Sequence, residues 1–318
     1  MIEVKDLVKK YGSHLAVDHL SFTLESGKIY GFLGPNGAGK STTMNIMTGY
    51  LGATNGSVLI DGHDILKEPE EAKKQIGYLP ELPPLYMDMT VQEYLEFAAE
   101  LKKLPKEKRE SDISEVMKLT RLQDVSDRLI KNLSKGYKQR VGLAQAILGF
   151  PEIIILDEPT VGLDPKQIIE IRELIRTLSK KHTVILSSHI LAEVREVCDY
   201  ILIISKGKLV ASDTPENLEL LRNGASSLEL EVKAAPDTAR AILSTIDDID
   251  AMEMHSENEN LTRVKLETKN GADIREAIFY AFAEEKCPLL EMKTAKASLE
   301  DIFMELTQKE ESNDAGNL

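Results

Sequence analysis

The stretch Ile29–Ser41, IYGFLGPNGAGKS, decides the fold. Its second part, Gly34–Ser41, fits the pattern G-x-x-x-x-G-K-[ST]. Its first part, Ile29–Leu33, is a short, mostly apolar run suited to a buried strand, and Ser41–Thr48 can begin a helix behind the loop. In that strand–loop–helix setting Gly34, Gly37 and Gly39 let the backbone turn tightly enough to aim several N–H groups at phosphate oxygens. The helix start adds its partial positive charge. Gly34, Pro35, Asn36, Gly37, Ala38, Gly39, Lys40, Ser41 and Thr42 are therefore candidate phosphate-binding residues. Lys40 would reach the β- and γ-phosphates of a nucleotide, and the Ser41 hydroxyl would ligate Mg²⁺. The competing reading is a glycine-rich turn with no ligand, and the full pattern in its required setting argues against it.

A second acidic element follows at Ile153–Glu158, where four apolar residues precede Asp157 and Glu158. Such a run reads as a central strand of a parallel sheet, buried on both faces. Open α/β sheets bind ligands at the carboxyl ends of their strands. Asp157 is thus expected beside the metal and Glu158 beside the γ-phosphate. Hydrolysis needs a group that orients and deprotonates water, and a carboxylate one position past the metal-facing one can supply it. A strand that merely ends in a solvated acidic turn is the alternative, and it weakens once a matching phosphate loop lies upstream.

Between these elements lies LSKGYKQR, Leu133–Arg140, twelve residues ahead of IIILDEPTVGLDP. With this run in place the chain resembles the ATP-binding subunit of an ABC transporter over about its first 215 residues. The landmarks fall in order: Tyr11, the phosphate loop, LSKGYKQR at the signature position, Gly162–Pro165 (GLDP) after the acidic strand, and His189 closing the apolar strand Thr183–Leu186. The resemblance implies that Tyr11 stacks on adenine. It implies that Ser134 and Gly136, flanked by Lys135 and Tyr137, contact the γ-phosphate of the nucleotide held by another subunit. A hydroxyl and a backbone N–H at a helix start both suit an anion. His189 would sense the γ-phosphate, and Asp164 would link the two sites across a dimer. Catalysis would rest on Glu158, His189 and Lys40. The other histidines, His14, His19, His63, His182 and His255, read as surface or core residues. Ser134 also fits a helix N-cap, and the Tyr11–Gly12 pair fits an ordinary turn.

Two positions depart from the common family pattern. Lys135 and Tyr137 stand where Gly and Gln are usual, a variant similar to the branch that pairs with separately encoded export permeases. Glu81, in GYLPE, stands where the family usually places a glutamine that contacts Mg²⁺ and the attacking water. A glutamate can still ligate Mg²⁺, a hard cation, but cannot donate an N–H. Ser41, Glu81 and Asp157 are the expected metal ligands, with ATP and Mg²⁺ as cofactors. The expected partners are a second copy or a related ATPase subunit, forming a homodimer or heterodimer, and a separate integral-membrane permease. That permease would hold the chain peripherally at the cytoplasmic face of the membrane.

Composition agrees with this. The chain has 318 residues, enough for two domains, and 42% hydrophobic content supports packed cores. No apolar stretch is long enough to span a bilayer, and MIEVKDLVKKYG runs into a strand without a signal pattern. Cys198 and Cys287 lie far apart without metal-ligand spacing, as expected in a reducing cytosol. A net charge of −14 disfavours nucleic acid, whose phosphates are bound by Lys and Arg. A soluble ABC ATPase of translation, repair or cofactor assembly is the alternative function. The single nucleotide site, the acidity and the lack of zinc-spaced cysteines argue against it.

The expected fold class is α/β: a P-loop ABC-type ATPase domain over residues 1–222, with an N-terminal antiparallel β region and an inserted helical subdomain at about 85–148. Strands are expected at Ile2–Lys9, Val17–Leu24 and Ser57–Ile60, and helices at Thr90–Lys103, Ser111–Leu119 and Ile168–Ser179. The interval from Lys40 to Ser134 is too short for the long coiled-coil insertion of chromosome-organising relatives. Asn223–Ser226 reads as a linker. Beyond it Ser227–Val232 alternates as a strand, and the order βαββαβα over 226–310 predicts a ferredoxin-like α+β domain. It includes a terminal helix at Ser298–Thr307 and carries no catalytic cluster, so it reads as an accessory packing or dimerisation domain rather than a sensor. Glu311–Leu318 reads as a disordered tail.

Overall fold

Strand β3 (Ile29–Leu33), the run that precedes the glycine loop, is buried along its whole length. A computed structural model describes residues 1–220, 227–258, 260–269, 272–295 and 303. In it β3 pairs in parallel with β8 (Thr183–Ser188) on one side and β9 (Tyr200–Ser205) on the other. With β6 (Ile76–Leu79), β7 (Ile153–Asp157) and β10 (Lys208–Asp213) they form a six-stranded sheet of order β10-β9-β3-β8-β7-β6. Only the β9–β10 hairpin is antiparallel within it. Every residue of β7 and β8 is buried as well, which accounts for their unbroken apolar runs where an alternating pattern would mark a half-exposed sheet.

A second, antiparallel sheet comprises β1 (Ile2–Tyr11), β2 (His14–Leu24), β4 (Asn55–Ile60) and the short β5 (His63–Asp64), in the order β2-β1-β4-β5. Its apolar residues Ile2, Leu7, Leu20 and Ile60 share one core with Phe32, Ile155 and Leu202 of the parallel sheet and with Met44 and Met47 of helix α1 (Lys40–Met47). Phe22 meets Phe32 edge-on at 5.4 Å between ring centroids. Each fully buried side chain of this size contributes roughly 1.5–3 kcal/mol, so the loop between β3 and α1 stands on a rigid base.

After α2 (Pro69–Lys74) and β6, the helical segment contains α3 (Val91–Leu101), α4 (Lys106–Leu119) and α5 (Lys135–Ile147). Thr90 and Glu93 close a reciprocal capping box on α3, which fixes its start. Helix α4 begins at Lys106, ahead of the expected Ser111. The run KEKRE lacks an apolar stripe, so periodicity alone misses it, but Lys, Glu and Arg are strong helix formers. Helix α6 (Pro165–Ser179) starts behind a capping box of Asp164 and Gln167, with proline in the first turn. Arg140 of α5 donates to the Thr120 carbonyl at 3.1 Å and pairs with Glu170 of α6, tying the helical segment to the core.

By compactness the chain divides into Met1–Pro215 and Glu216–Leu318, ahead of residue 222 and at the start of α8 (Pro215–Leu220). The second unit contains β11 (Ser227–Val232), α9 (Pro236–Leu243), β12 (Ile249–Asn258), β13 (Leu261–Thr268), α10 (Arg275–Glu284) and β14 (Leu289–Ala295). Its sheet order is β12-β13-β11-β14 with every neighbour antiparallel, the split βαβ arrangement of a ferredoxin-like fold. Leu228, Leu230, Val232, Val264 and Leu266 face Ile242, Ile278 and Phe282 in its core. Ile278 and Phe282 form the buried stripe of α10, and Ala277, at its margin, is exposed. The linker at Asn223–Ser226 and the tail at Glu311–Leu318 lie outside the described residues, as does the expected helix Ser298–Thr307 apart from the helical Phe303.

Candidate functional site

At the carboxyl end of the parallel sheet, the loops after β3, β6, β7 and β8 converge on a cavity of about 350 Å³. Its lining includes Tyr11, Asn36 to Thr42, Glu81, Glu158 and His189. Gly39 occupies the position where the loop turns into α1, with φ at +102°, and a Cβ there would fall 2.5 Å from the Ala16 carbonyl oxygen. No other residue type fits. The turn leaves the first N–H groups of α1, those of Lys40, Ser41 and Thr42, without intrahelical acceptors.

Lys40 is 5% exposed, and its Nζ donates to the carbonyls of Gly34 at 2.7 Å and Pro35 at 3.2 Å. It also lies 4.0 Å from Glu158 Oε1. Burial pushes the Lys40 ammonium below the usual lysine range, opposed in turn by the charges of Glu158, Asp157 and Glu81. The Ser41 hydroxyl donates to Asp157 Oδ1 at 3.2 Å. Behind that carboxylate stands Ser187, paired in register with Asp157 across β7 and β8. The Ser187 hydroxyl donates to Asp157 Oδ1 at 2.5 Å and accepts from the Glu158 backbone N–H at 2.9 Å.

Glu158 adopts a left-handed backbone, φ +48°, which is strained for a residue with a Cβ. That conformation turns its carboxylate into the cavity, where His189 Nδ1 lies 3.1 and 3.0 Å from its two oxygens. The Glu158 side chain is 9% exposed and that of His189 45%. Tyr78, on β6, donates from its hydroxyl to Asn45 Oδ1 at 3.0 Å, and burial raises its pKa with the Asp157 charge adding to the effect. Tyr11 is half-exposed at the cavity edge, with Lys9 Nζ 5.2 Å from its ring centroid. Ser41 and Asp157 supply the few hard oxygen donors that suit Mg²⁺, which keeps several waters and takes phosphate oxygens as further ligands.

The remaining expected residues cluster elsewhere. Ser134 caps α5, accepting from the Tyr137 N–H at 3.4 Å. Asp164 caps α6, accepting from the Gln167 N–H at 2.9 Å. The two helix starts adjoin: a Cβ on Gly136 would meet the Gln167 amide at 2.5 Å, and Lys135 packs over Gly162. Ser134, Lys135, Gly136, Tyr137 and Asp164 do not line the cavity. One chain therefore holds two separate halves of the expected site.

Sequence reasoning missed Ser187, Ser188, Thr160 and Glu193, which support the two reactive loops from behind. The pair Ser187–Ser188 directly before His189 was the available signal, since hydroxyls at a strand end in an otherwise apolar run need partners.

The family model described as "ABC transporter" matches residues 17–161. The bacitracin transport ATP-binding protein BcrA of Bacillus licheniformis is 34% identical over 308 residues, covering 96% of this chain and 97% of that protein. The linearmycin resistance ATP-binding protein LnrL of Bacillus subtilis (strain 168) is 29% identical over 308 residues, covering 96% of this chain and 98% of its own length. Among solved structures, a dimeric post-hydrolysis ATP-binding cassette bound to ADP and Pi aligns with a TM-score of 0.62 at 27% identity, covering 67% of this chain and 98% of the cassette.

Proposed function

The chain belongs to the family of ABC transporter ATP-binding proteins, and from that membership we propose that it is the motor subunit of an exporter driving a separate membrane permease. It binds and hydrolyses ATP. Two copies, or one copy with a related subunit, sandwich two nucleotides between the glycine loop of one and the LSKGYKQR helix start of the other. One observation carries this reading: the phosphate loop, Glu158 and His189 share a cavity, with Asp157 bonded to Ser41 of its wall, while Ser134, Gly136 and Asp164 stand outside it on adjoining helix starts. A chain that holds the two halves apart fits a site completed by a second copy.

In this reading the N–H groups of the loop and of the first turn of α1 hold the phosphates. Lys40 exchanges its loop carbonyls for the β- and γ-phosphates. Ser41 and Asp157, with Glu81 nearby, would hold Mg²⁺, which would neutralise phosphate charge. Glu158 orients the attacking water and takes its proton. His189 contacts the γ-phosphate. Because its Nδ1 faces Glu158, Nε2 is the nitrogen left for that oxygen, and it donates when the ring carries both protons. Tyr11, at the cavity edge, stacks on adenine with Lys9 beside it. Closure pulls on the permease, and hydrolysis resets it.

Export is the direction we favour, because one similar protein is named for bacitracin transport and another for linearmycin resistance. Among the described residues no helix is long and apolar enough to cross a membrane, so the transport path belongs to the partner in this reading. The chain would sit at the cytoplasmic face through that partner. The second unit, with no metal-holding group of His, Cys, Asp or Glu among its described residues, serves as an accessory packing or dimerisation domain. The test is a mild-detergent pull-down of the tagged full chain from native membranes. A polytopic membrane protein at a stoichiometric ratio is expected. Recovery with ribosomes or nucleic acid alone would overturn the transport reading.

A further inference from the structure

Behind the reactive pair lies a buried carboxylate that the mechanism above does not use. Glu193, on helix α7 (Leu191–Val197), is 6% exposed. Its Oε2 accepts from the Thr160 hydroxyl at 2.6 Å and from the Ser188 hydroxyl at 3.3 Å. Ser188 Oγ in turn accepts from the Ile190 N–H at 3.0 Å. The other oxygen of Glu193 lies 3.9 Å from Arg172 of α6, which also pairs with Glu196. Thr160 stands two residues after Glu158, and Ser188 one residue before His189. One carboxylate therefore joins the loop carrying Glu158, the loop carrying His189, and the helix that Asp164 caps.

We infer that Glu193 is a positioning residue for hydrolysis. It fixes the spacing between Glu158 and His189 by clamping their loops together through Thr160 and Ser188. The need for a clamp follows from the local structure. Glu158 holds a strained left-handed backbone, and such a conformation persists only where its surroundings over-determine it. Ser187 restrains Glu158 from the N-terminal side, through its backbone N–H. Glu193 restrains it from the C-terminal side, through Thr160. Hydrogen bonds that a carboxylate accepts from hydroxyls are charge-assisted and roughly twice as strong as neutral ones. Geometry at the reacting atoms is sensitive to this hold, because a misplacement of about 1 Å costs on the order of 10²-fold in rate.

This inference rests on Glu158 being the water-activating group, and its tests separate the two claims. In the full-length chain, Glu193→Ala should lower kcat by roughly 10- to 100-fold with the ATP KM and the affinity for a non-hydrolysable ATP analogue nearly unchanged. Glu193→Gln keeps an oxygen for both hydroxyls and should retain most of the activity. Thr160→Val removes one clamp bond with little change of shape, so it reports even if Glu193→Ala fails to fold. It should lower kcat in the same way, and the Glu193→Ala/Thr160→Val pair should lose no more than Glu193→Ala alone. Three outcomes overturn the proposal: an unchanged kcat in both folded variants, nucleotide affinity falling in step with kcat, or losses that multiply in the pair. If Glu158→Gln itself turns over normally, the assignment of Glu158 fails first. If Glu158→Gln is inactive while Glu193→Ala and Thr160→Val are normal, only the clamp fails.

Discussion

Glu158→Gln is the sharpest perturbation of the proposed chemistry, since it removes a charge and a base while leaving the side-chain shape almost intact. The carboxylate is 9% exposed, so bulk water cannot readily substitute for it as the proton acceptor. Positioned general-base catalysis contributes typically 10²–10⁴-fold, equivalent to about 3–5 kcal/mol of barrier at 1.36 kcal/mol per decade. A loss of at least roughly 10²-fold in kcat is therefore expected. Binding should respond in the opposite sense. Glu158 lies 4.0 Å from Lys40 Nζ, and unit charges at that distance attract by about 4 kcal/mol at an effective dielectric constant near 20. That gross attraction competes with nucleotide phosphates for the lysine and also repels their charge. The glutamine variant should bind ATP at least as tightly as wild type and accumulate an ATP-dependent dimer. Phosphate release measures turnover, a fluorescent ATP analogue measures affinity, and size-exclusion chromatography with light scattering measures dimerisation. Turnover within about tenfold of wild type would show that another group activates the water, because even the lower limit of general-base assistance exceeds that change.

Glu81→Gln should keep hydrolysis but shift its Mg²⁺ dependence or its stimulation by the permease, because Glu81 faces the same cavity as Ser41. If a Mg²⁺ titration and permease reconstitution both match wild type, Glu81 is a bystander. Lys102→Met should destabilise the fold by roughly 1–3 kcal/mol in urea, since two buried carbonyls lose a donor; Lys102 Nζ holds those of Ala146 at 3.1 Å and Leu148 at 2.8 Å, at the end of α5. Burial pushes the Lys102 ammonium down to about 8 from 10.5, although the two carbonyls favour its charged form. Its folded pKa then lies below the unfolded one, so the unfolded chain binds more protons between pH 8 and 10.5. The cost of burying that charge is full below the window and falls as pH rises through it. The wild type should therefore gain stability relative to the methionine variant across that range, and parallel pH profiles would contradict the shift.

The parts of this molecule legible from sequence are those that local physics dictates. IYGFLGPNGAGKS could be placed because the apolar strand, the glycines and the helix start are contiguous. The alternation of Leu228, Leu230 and Val232 marked a half-buried strand, and the split βαβ order followed from the succession of such elements. Helix α4 was misjudged at its start because propensity without an apolar stripe carries little signal. The supports of the site were hidden for a different reason. Ser187 holds Asp157 only because β7 and β8 lie side by side in one register, and Glu193 reaches Thr160 across 33 positions of sequence. No periodicity encodes contacts of that range.

The same distinction explains why LSKGYKQR could be given a role only by resemblance. Its helix start has the chemistry to hold an anion, with a Ser134 hydroxyl and a Gly136 whose missing side chain leaves room for the Gln167 amide. Yet it lines no cavity with Lys40 in its own chain. A sequence can display both halves of the proposed site and still not show how they stand in the folded chain. What distinguishes them is the fold: the capping box of Asp164 and Gln167 anchors the start of α6 beside the start of α5, while Glu193 and Arg172 tie that same helix back to the loops of Glu158 and His189. Helix α6 thus links one half-site to the other, by its capped start beside α5 and by the ion pair of Arg172 with Glu193 further along. If the two halves are completed by different copies, the nucleotide at one site can bias the reactive pair at the other through this helix without any change in the intervening sheet.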